Sequence, residues 1–274
     1  MTYALTAEQL DAYLARIGAA RPAQADAAAL GDIHRAHALG FTWEAIDCFM
    51  GWPVSIDPQA TWSKVVAGRR GGWCYELNGL LGAALAALGF SVTRLCGGVR
   101  REHVGDDMIG NHLTLRVDFA DGPWLAETGL GDALVDPIPL RLGAVSQRGY
   151  SFAIEQADGD WWRFRNHPFA GGPSFDFRPD YADEGRLAGM HEWLRTAEQS
   201  PFRSNLVVQR HFPDRIESVL NRTRRTVTPN GVSEAQIAGA DELAGLLERV
   251  FAIEVPEIDA VWDKAGQASG PAFG

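Results

Sequence analysis

Cysteine is scarce in this chain: Cys48, Cys74 and Cys96 are three in 274 residues. Their odd number and irregular spacing argue against a disulfide framework and for a reducing cytoplasm. Long apolar runs are missing as well. The most apolar stretch, near Leu80 to Leu88, falls far short of the roughly twenty residues that cross a bilayer. Residues 1–20 interrupt their apolar pattern with Glu8, Asp11 and Arg16, unlike the basic head and apolar core of a secretory signal. Basic residues are outnumbered, and the net charge of −10 disfavours a general nucleic-acid or anionic-membrane binder. It leaves room for a local basic pocket. There is no C-x-x-C pair, H-E-x-x-H helix, G-x-S-x-G elbow or Walker loop. Gly129-Leu130-Gly131 lacks the third glycine of a dinucleotide fingerprint. No internal repeat or low-complexity segment is present.

What is there reads as a soluble globular protein, 46% hydrophobic and 22% charged, large enough for one domain or for two or three small ones. Thr6 and Gln9 form a capping-box pattern ahead of Leu10, Tyr13, Leu14 and Ile17, which predicts a helix closed by Gly18. Further helices are expected at about 26–39, 43–50 and 57–67, then from Cys74 to Gly89. The period then changes. Ser91 to Val99 reads as a strand, and Leu113, Leu115, Val117 and Phe119 alternate with polar residues up to an Asp121-Gly122 turn. Trp124 to Thr128 is the returning strand, and short strands continue to about Arg178. Asp183 to Glu198 is helical again. Strands are expected at 206–209, 216–220 and 224–227, a helix at 241–251, and a loose tail from Lys264 onward. The expected architecture is α+β: residues 1–90 a helical bundle, 91–182 an antiparallel sheet or small barrel, 183–205 a bridging helix and linker, and 206–274 a third unit.

The chemistry centres on Arg69 to Asn78, which sets Cys74 just after the Gly71-Gly72 pair and Trp73, at the start of an apolar helix. Unpaired N–H groups and the dipole of a first helical turn favour a thiolate. A buried structural cysteine is the commoner reading of such a residue taken alone. His112 stands at the mouth of the alternating strand and Glu127 lies in the returning one. Thiol, imidazole and carboxylate are the parts of an activated nucleophile. An Asp121-Gly122 turn, however, sets Glu127 opposite Arg116, roughly 13 Å along the strand from His112. On spacing alone, a cross-strand ion pair with Arg116 is the better reading of Glu127. His34 and His37, three apart on one helix, read as a solvated face rather than a metal site. His103, His167, His191 and His211 have no identifiable partner.

Four ordered motifs resemble the arylamine N-acetyltransferases along nearly the whole chain. Arg70 to Asn78 reads Arg-Gly-Gly-Trp-Cys-Tyr-Glu-Leu-Asn, His112 leads the strand Leu-Thr-Leu-Arg-Val, Trp124 to Gly131 follows, and Ser200-Pro201-Phe202 leads to Asn205-Leu-Val-Val. The resemblance implies a helical bundle carrying the nucleophile, a central antiparallel β-barrel and an α/β lid, with a cysteine-protease-like core. It implies a ping-pong acyl transfer from acetyl-CoA, as co-substrate and not as a resident cofactor, to an arylamine or hydrazine. Cys74 would be the nucleophile, His112 the base and acid, and Glu127 the third member where the family has Asp. Arg70 would pair with Glu44 to brace the loop, and the Cys74 backbone N–H would be an oxyanion donor. Trp43, Asn111, Gly129, Leu130 and Phe202 would shape the acceptor pocket. Trp43 stands where the family has Phe, Ala45 where it has Asn, Asn111 where Thr is common, and Thr128 and Leu130 where it has Val and Phe. The resemblance identifies neither CoA contacts, nor a metal, nor an oligomeric state.

These departures motivate one alternative within the same chemistry, an amide synthase taking a larger acyl thioester. An alternative of another class is a binding protein with impaired catalysis. A hydrolase fits less well, because Trp43, Trp73 and Phe202 favour exclusion of water.

Overall fold

The computed structural model describes residues 3–268. The capping box at Thr6 and Gln9 opens α1 (Ala7–Ile17), and Gly18 closes it in the left-handed region at φ 69°. α2 (Ala27–Gly40) is capped by the Asp26 carboxylate. The segment expected as one helix over 43–50 is instead a two-residue strand, β1 (Trp43–Glu44), followed by α3 (Ile46–Met50). The first ninety residues are therefore not all helical. α4 (Pro58–Trp62) runs on into a π-helical turn over Ser63–Ala67. α5 (Cys74–Ala87) is buried throughout from Cys74 to Leu85. Leu80, Leu81 and Leu85 have no exposed surface, and burying each contributes roughly 1.5–3 kcal/mol.

β2 (Ser91–Val99) leads through α6 (Arg101–Val104) and a single 3-10 turn at Asp106–Met108 into β3 (His112–Phe119). There follow β4 (Gly122–Ala126), β5 (Ile138–Pro139), β6 (Gly143–Gln147), β7 (Tyr150–Gln156), β8 (Trp162–Arg165) and β9 (Ser174–Phe177). They form an eight-stranded, barrel-like antiparallel sheet in the order β5-β4-β3-β2-β9-β8-β7-β6. The β3–β4 hairpin differs from expectation in a way that matters. Phe119 pairs with Gly122, so the loop is Ala120-Asp121 and not Asp121-Gly122. The positive φ falls on Gly122 (124°) as the first residue of the returning strand, as in a turn followed by a bulge.

α7 (Glu184–Thr196) and α8 (Pro201–Ser204) connect to a second sheet. Its strands are β10 (Val207–His211), β11 (Ile216–Leu220), β12 (Thr223–Thr228) and β13 (Gly231–Gln236), the last not expected. β1 completes it, in the order β1-β10-β11-β12-β13. α9 (Ala240–Arg249) and α10 (Ile258–Ala265) pack on this sheet through Leu243, Leu247 and Val261, joined by Phe251 from their connection. The tail expected to be loose from Lys264 is helical as far as Ala265, and positions 269–274 lie outside the described residues. The fold is α+β. Among the described residues no helix is long and apolar enough to cross a membrane.

Candidate active site

The double glycine before Cys74 answers to crowding and not to an unusual φ. Glu44 N–H donates to Gly72 O (3.0 Å) and Gly72 N–H to Thr42 O (3.2 Å), so the nucleophile loop lies directly on β1. A Cβ on Gly71 would fall 2.6 Å from Glu44 Cγ, and one on Gly72 2.8 Å from Glu76 Cβ. Only glycine permits this approach. Arg70 reaches Glu44 (2.8 Å) and also Asp47 (2.9 Å). Lys64, carried by the π-helical turn, adds ion pairs to Asp47 (2.7 Å) and Glu76 (2.9 Å). Burial pushes the Glu76 carboxyl up to about 7, against the pull of Lys64. Glu76 also accepts the Trp73 N–H at 3.2 Å. Three carboxylates and two cations thus lock the turn that presents Cys74. Sequence reasoning found one pair of this cluster.

Cys74 Sγ lies at the first turn of α5, 4.0 Å from Asn111 O. His112 Nε2–H donates to Glu127 Oε2 at 2.9 Å. Nδ1 is therefore the nitrogen left for the thiol, with which the imidazole also hydrogen-bonds. The hairpin register explains how Glu127 arrives there. With Leu115 opposite Ala126, position 127 continues opposite Thr114, two residues from His112 and roughly 7 Å along the strand. The Arg116 pairing favoured by spacing does not form; Arg116 pairs with Asp118.

Glu127 is buried and folded back on its own chain. Its Oε1 accepts the N–H groups of Gly129 (2.6 Å) and Leu130 (2.9 Å), and Asn78 Nδ2 donates to both oxygens at 3.2 Å. Asn78, one helical turn below Cys74, also donates to Leu113 O and accepts from Thr128 N–H and Oγ1. Burial alone would raise the Glu127 pKa, but His112 and these donors hold it below the usual carboxylate range. Burial likewise pulls the His112 pKa down. The Glu127 carboxylate and the hydrogen bond with Cys74 overcome it, and His112 is pushed up to about 10. The ring packs against Phe175, centroids 4.8 Å apart. Burial pushes the Cys48 thiol up, and Cys96 to about 11, so neither is a competing nucleophile at neutral pH.

Cys74 and His112 open into a cleft of about 420 Å³. Trp43, Asn111, Gly129, Leu130 and Phe202, all expected at the pocket, line it. Trp43 Nε1–H donates to Gly129 O (2.7 Å), and its ring leans on Phe202 at 5.9 Å. A Cβ on Gly129 would stand 2.9 Å from Cys74 Cβ. Asn111 turns its amide to β2, where Oδ1 accepts the Val99 N–H at 2.7 Å. Asp132 and Gln209, not expected, are polar residues of the wall joined at 3.0 Å.

The pair expected on a solvated face, His34 and His37, is fully buried. α2 packs inward because Leu30, Ile33 and Ala38 share that side. His37 Nδ1 meets the Tyr13 hydroxyl at 2.8 Å, and His34 bonds the backbone of Glu127 and Val135. Among the described residues no group of three metal-ligating side chains occurs.

A helical N-terminal region, a barrel-like sheet and a second sheet surround a cleft whose thiol, imidazole and carboxylate are the parts of a thiol enzyme. The sequence model of the N-acetyltransferase family matches residues 26–261. An arylamine N-acetyltransferase / N-hydroxyarylamine O-acetyltransferase of Salmonella typhimurium is 29% identical over 236 residues, 84% of this chain and 83% of that protein. One of Mycolicibacterium smegmatis is 40% identical over 147 residues, 52% of this chain and 54% of that one. The solved Salmonella typhimurium arylamine N-acetyltransferase superposes with a TM-score of 0.83 at 26% identity, covering 97% of this chain and 100% of its own. A Mycobacterium marinum arylamine N-acetyltransferase in complex with CoA superposes at 0.84 with 25% identity, covering 95% and 100%. The chain belongs to the arylamine N-acetyltransferase family.

Proposed function

We propose that the protein moves an acetyl group from acetyl-CoA to an arylamine or hydrazine by a ping-pong route through acetyl-Cys74. The observation that carries this reading is the unbroken line from Cys74 and His112, which line the cleft, to the buried Glu127, with His112 poised to hold a proton. The Cys74 thiolate attacks the thioester carbonyl, and the His112 imidazolium gives its proton to the departing CoA thiolate. The now neutral imidazole takes the proton of the attacking amine as acetyl-Cys74 collapses, which restores the thiolate–imidazolium pair. Glu127 holds the ring and offsets its charge. The Cys74 backbone N–H at the start of α5 is the candidate oxyanion donor. The chain's similarity to a protein solved in complex with CoA supports acyl-CoA as co-substrate.

Peptide mass spectrometry after incubation with acetyl-CoA tests the reading. One acetyl group on the Cys74 peptide, discharged by an added aniline, is expected. A protein that acetylates the aniline without ever carrying the group would refute it. One observation favours a second donor class. Val104 and Trp193, 47% and 36% exposed, put apolar surface at the cleft beside the exposed Asp107 and Gln199. An acyl-CoA series of increasing length, read as Cys74 acylation rate, separates that reading from acetyl preference.

A further inference from the structure

Glu127 sits one residue beyond the end of β4. Its backbone N–H donates to His34 Nε2 at 2.9 Å. An imidazole nitrogen that accepts is unprotonated, so the ring proton is on Nδ1, which lies 2.8 Å from Val135 O. One neutral ring thereby ties both ends of the 127–135 segment to α2. The next residue of α2 repeats the clamp, since Arg35 pairs with Asp136 at 2.7 Å. The facing groups are Glu127 and Asp136 from the clamped segment, His37 from its own helix and His211 from β10. Protonating His34 at Nε2 would set N–H against N–H and break the tie to Glu127.

We propose that His34 is a positioning residue for Glu127: its neutral, Nδ1-protonated ring anchors the backbone from which the carboxylate reaches His112. The inference rests on Cys74, His112 and Glu127 acting as one unit. The side chain of Glu127 is held by Asn78, Gly129 and Leu130, whereas its main chain is held by His34. Loss of that anchor lets the carboxylate drift from Nε2, while the wall carried by β1 and α5, with Trp43 and Cys74, stays in place. Displacements of about 1 Å at such a contact reduce rates by up to about a hundredfold.

The test compares His34→Leu with His34→Gln. A glutamine amide offers an oxygen to the Glu127 N–H and an N–H to Val135 O, and it does not titrate. The readout is the pH profile of iodoacetamide alkylation at Cys74, which reports the thiolate–imidazolium pair whether or not acetyl transfer occurs. Thermal unfolding of each variant checks folding. In His34→Leu the profile is expected to differ from the parent's, with alkylation at pH 7 about tenfold slower. The acetylation rate should fall about tenfold, with KM for acetyl-CoA within twofold of the parent. His34→Gln should stay within about threefold of the parent. If His34→Leu does not fold, His34→Asn replaces it, being too short to span both backbone groups. A parental profile in the folded Leu or Asn variant overturns the inference, and so does a Gln variant as impaired as Leu. Failure of the parent to acetylate Cys74, with an intact alkylation profile, would instead count against the proposed reaction.

Discussion

Replacing Glu127 by Gln keeps the shape of the side chain and removes its charge, which makes it the sharpest probe of the site. The Glu127 carboxylate is the largest influence holding His112 up at about 10 against burial. Without it the ring should fall back to about its ordinary value of 6.5, since burial is then opposed only by the weaker hold of the hydrogen bond with Cys74. At pH 8 such a ring is protonated to about 3%, whereas one titrating near 10 is almost wholly protonated. The reactive ion pair should therefore fall by about thirtyfold. Hydrogen bonding adds to the loss. Glu127 uses both oxygens as acceptors, one for Gly129 and Leu130, the other for His112. An amide has one oxygen, so either the backbone donors or His112 must face an NH2 group. If His112 does, Nε2 becomes the acceptor and Nδ1 carries the proton, the wrong tautomer for deprotonating the thiol. The assay is the rate of Cys74 alkylation and of acetylation by acetyl-CoA, followed from pH 5 to 9. Cys48 and Cys96 are buried and contribute little background. A folded Glu127→Gln protein that alkylates within threefold of the parent at pH 8 would refute the argument.

Three further outcomes follow from the same geometry. Glu127→Asp, which restores the family's residue type, should lower transfer by ten- to a hundredfold. One methylene fewer draws the carboxylate back by about 1.5 Å, from 2.9 Å to beyond hydrogen-bond range of His112 Nε2 unless the main chain shifts; undiminished kcat/KM would show that it does shift. Gly129→Ala should slow Cys74 acylation at least tenfold, since the new methyl would press on Cys74 Cβ at 2.9 Å and Asn78 Nδ2 at 2.5 Å; unchanged acylation kinetics would contradict that packing. The third outcome is acid lability: burial lowers His37 and His211 to about 3. Their contribution is full above about 6.5, the unfolded value, and is lost as pH falls toward 3, by about 2 kcal/mol per ring at pH 5. Urea unfolding at pH 7.5 and pH 5 measures it, and equal stabilities would count against neutral burial of these rings.

How much of this was legible in the sequence depends on the range over which each feature is determined. Helix ends are local: Thr6, Gln9 and Gly18 carry the signal for α1 within a dozen residues, and the structure places its ends there. β1 escapes local reading because Trp43 and Glu44 are extended by pairing with Gln209 and Val208, which are distant in sequence. Lys64 could not be seen as part of the nucleophile's support, because a π-helical turn rotates it relative to an ideal helix. His34 and His37 escape local reading for a similar reason. Histidine is neutral to the apolar pattern, so the face it occupies is set by what packs there. Asn78 carried a usable signal, being the one polar residue after Glu76 on a helix otherwise made there of Leu, Ala and Gly.

The third member of the triad shows how small the undecided quantity was. Residue types, order and the face of the sheet were all readable, because a strand repeats every two residues. What remained open was whether the loop was Asp121-Gly122 or Ala120-Asp121. The two differ by a two-residue shift in pairing, which leaves every side chain on its face but moves Glu127 by about 7 Å along β3. Hydrophobic patterning discriminates strongly against a one-residue slip, which would turn the core face outward, and is blind to a slip of two. The shift has to be set from outside the hairpin. Its far end is held by Asn78 on α5 and by His34 on α2, two elements that arrive from the N-terminal half of the chain. The carboxylate that completes the site is thus placed by the same helices that carry or flank the thiol, and no reading of the hairpin by itself could have put it there.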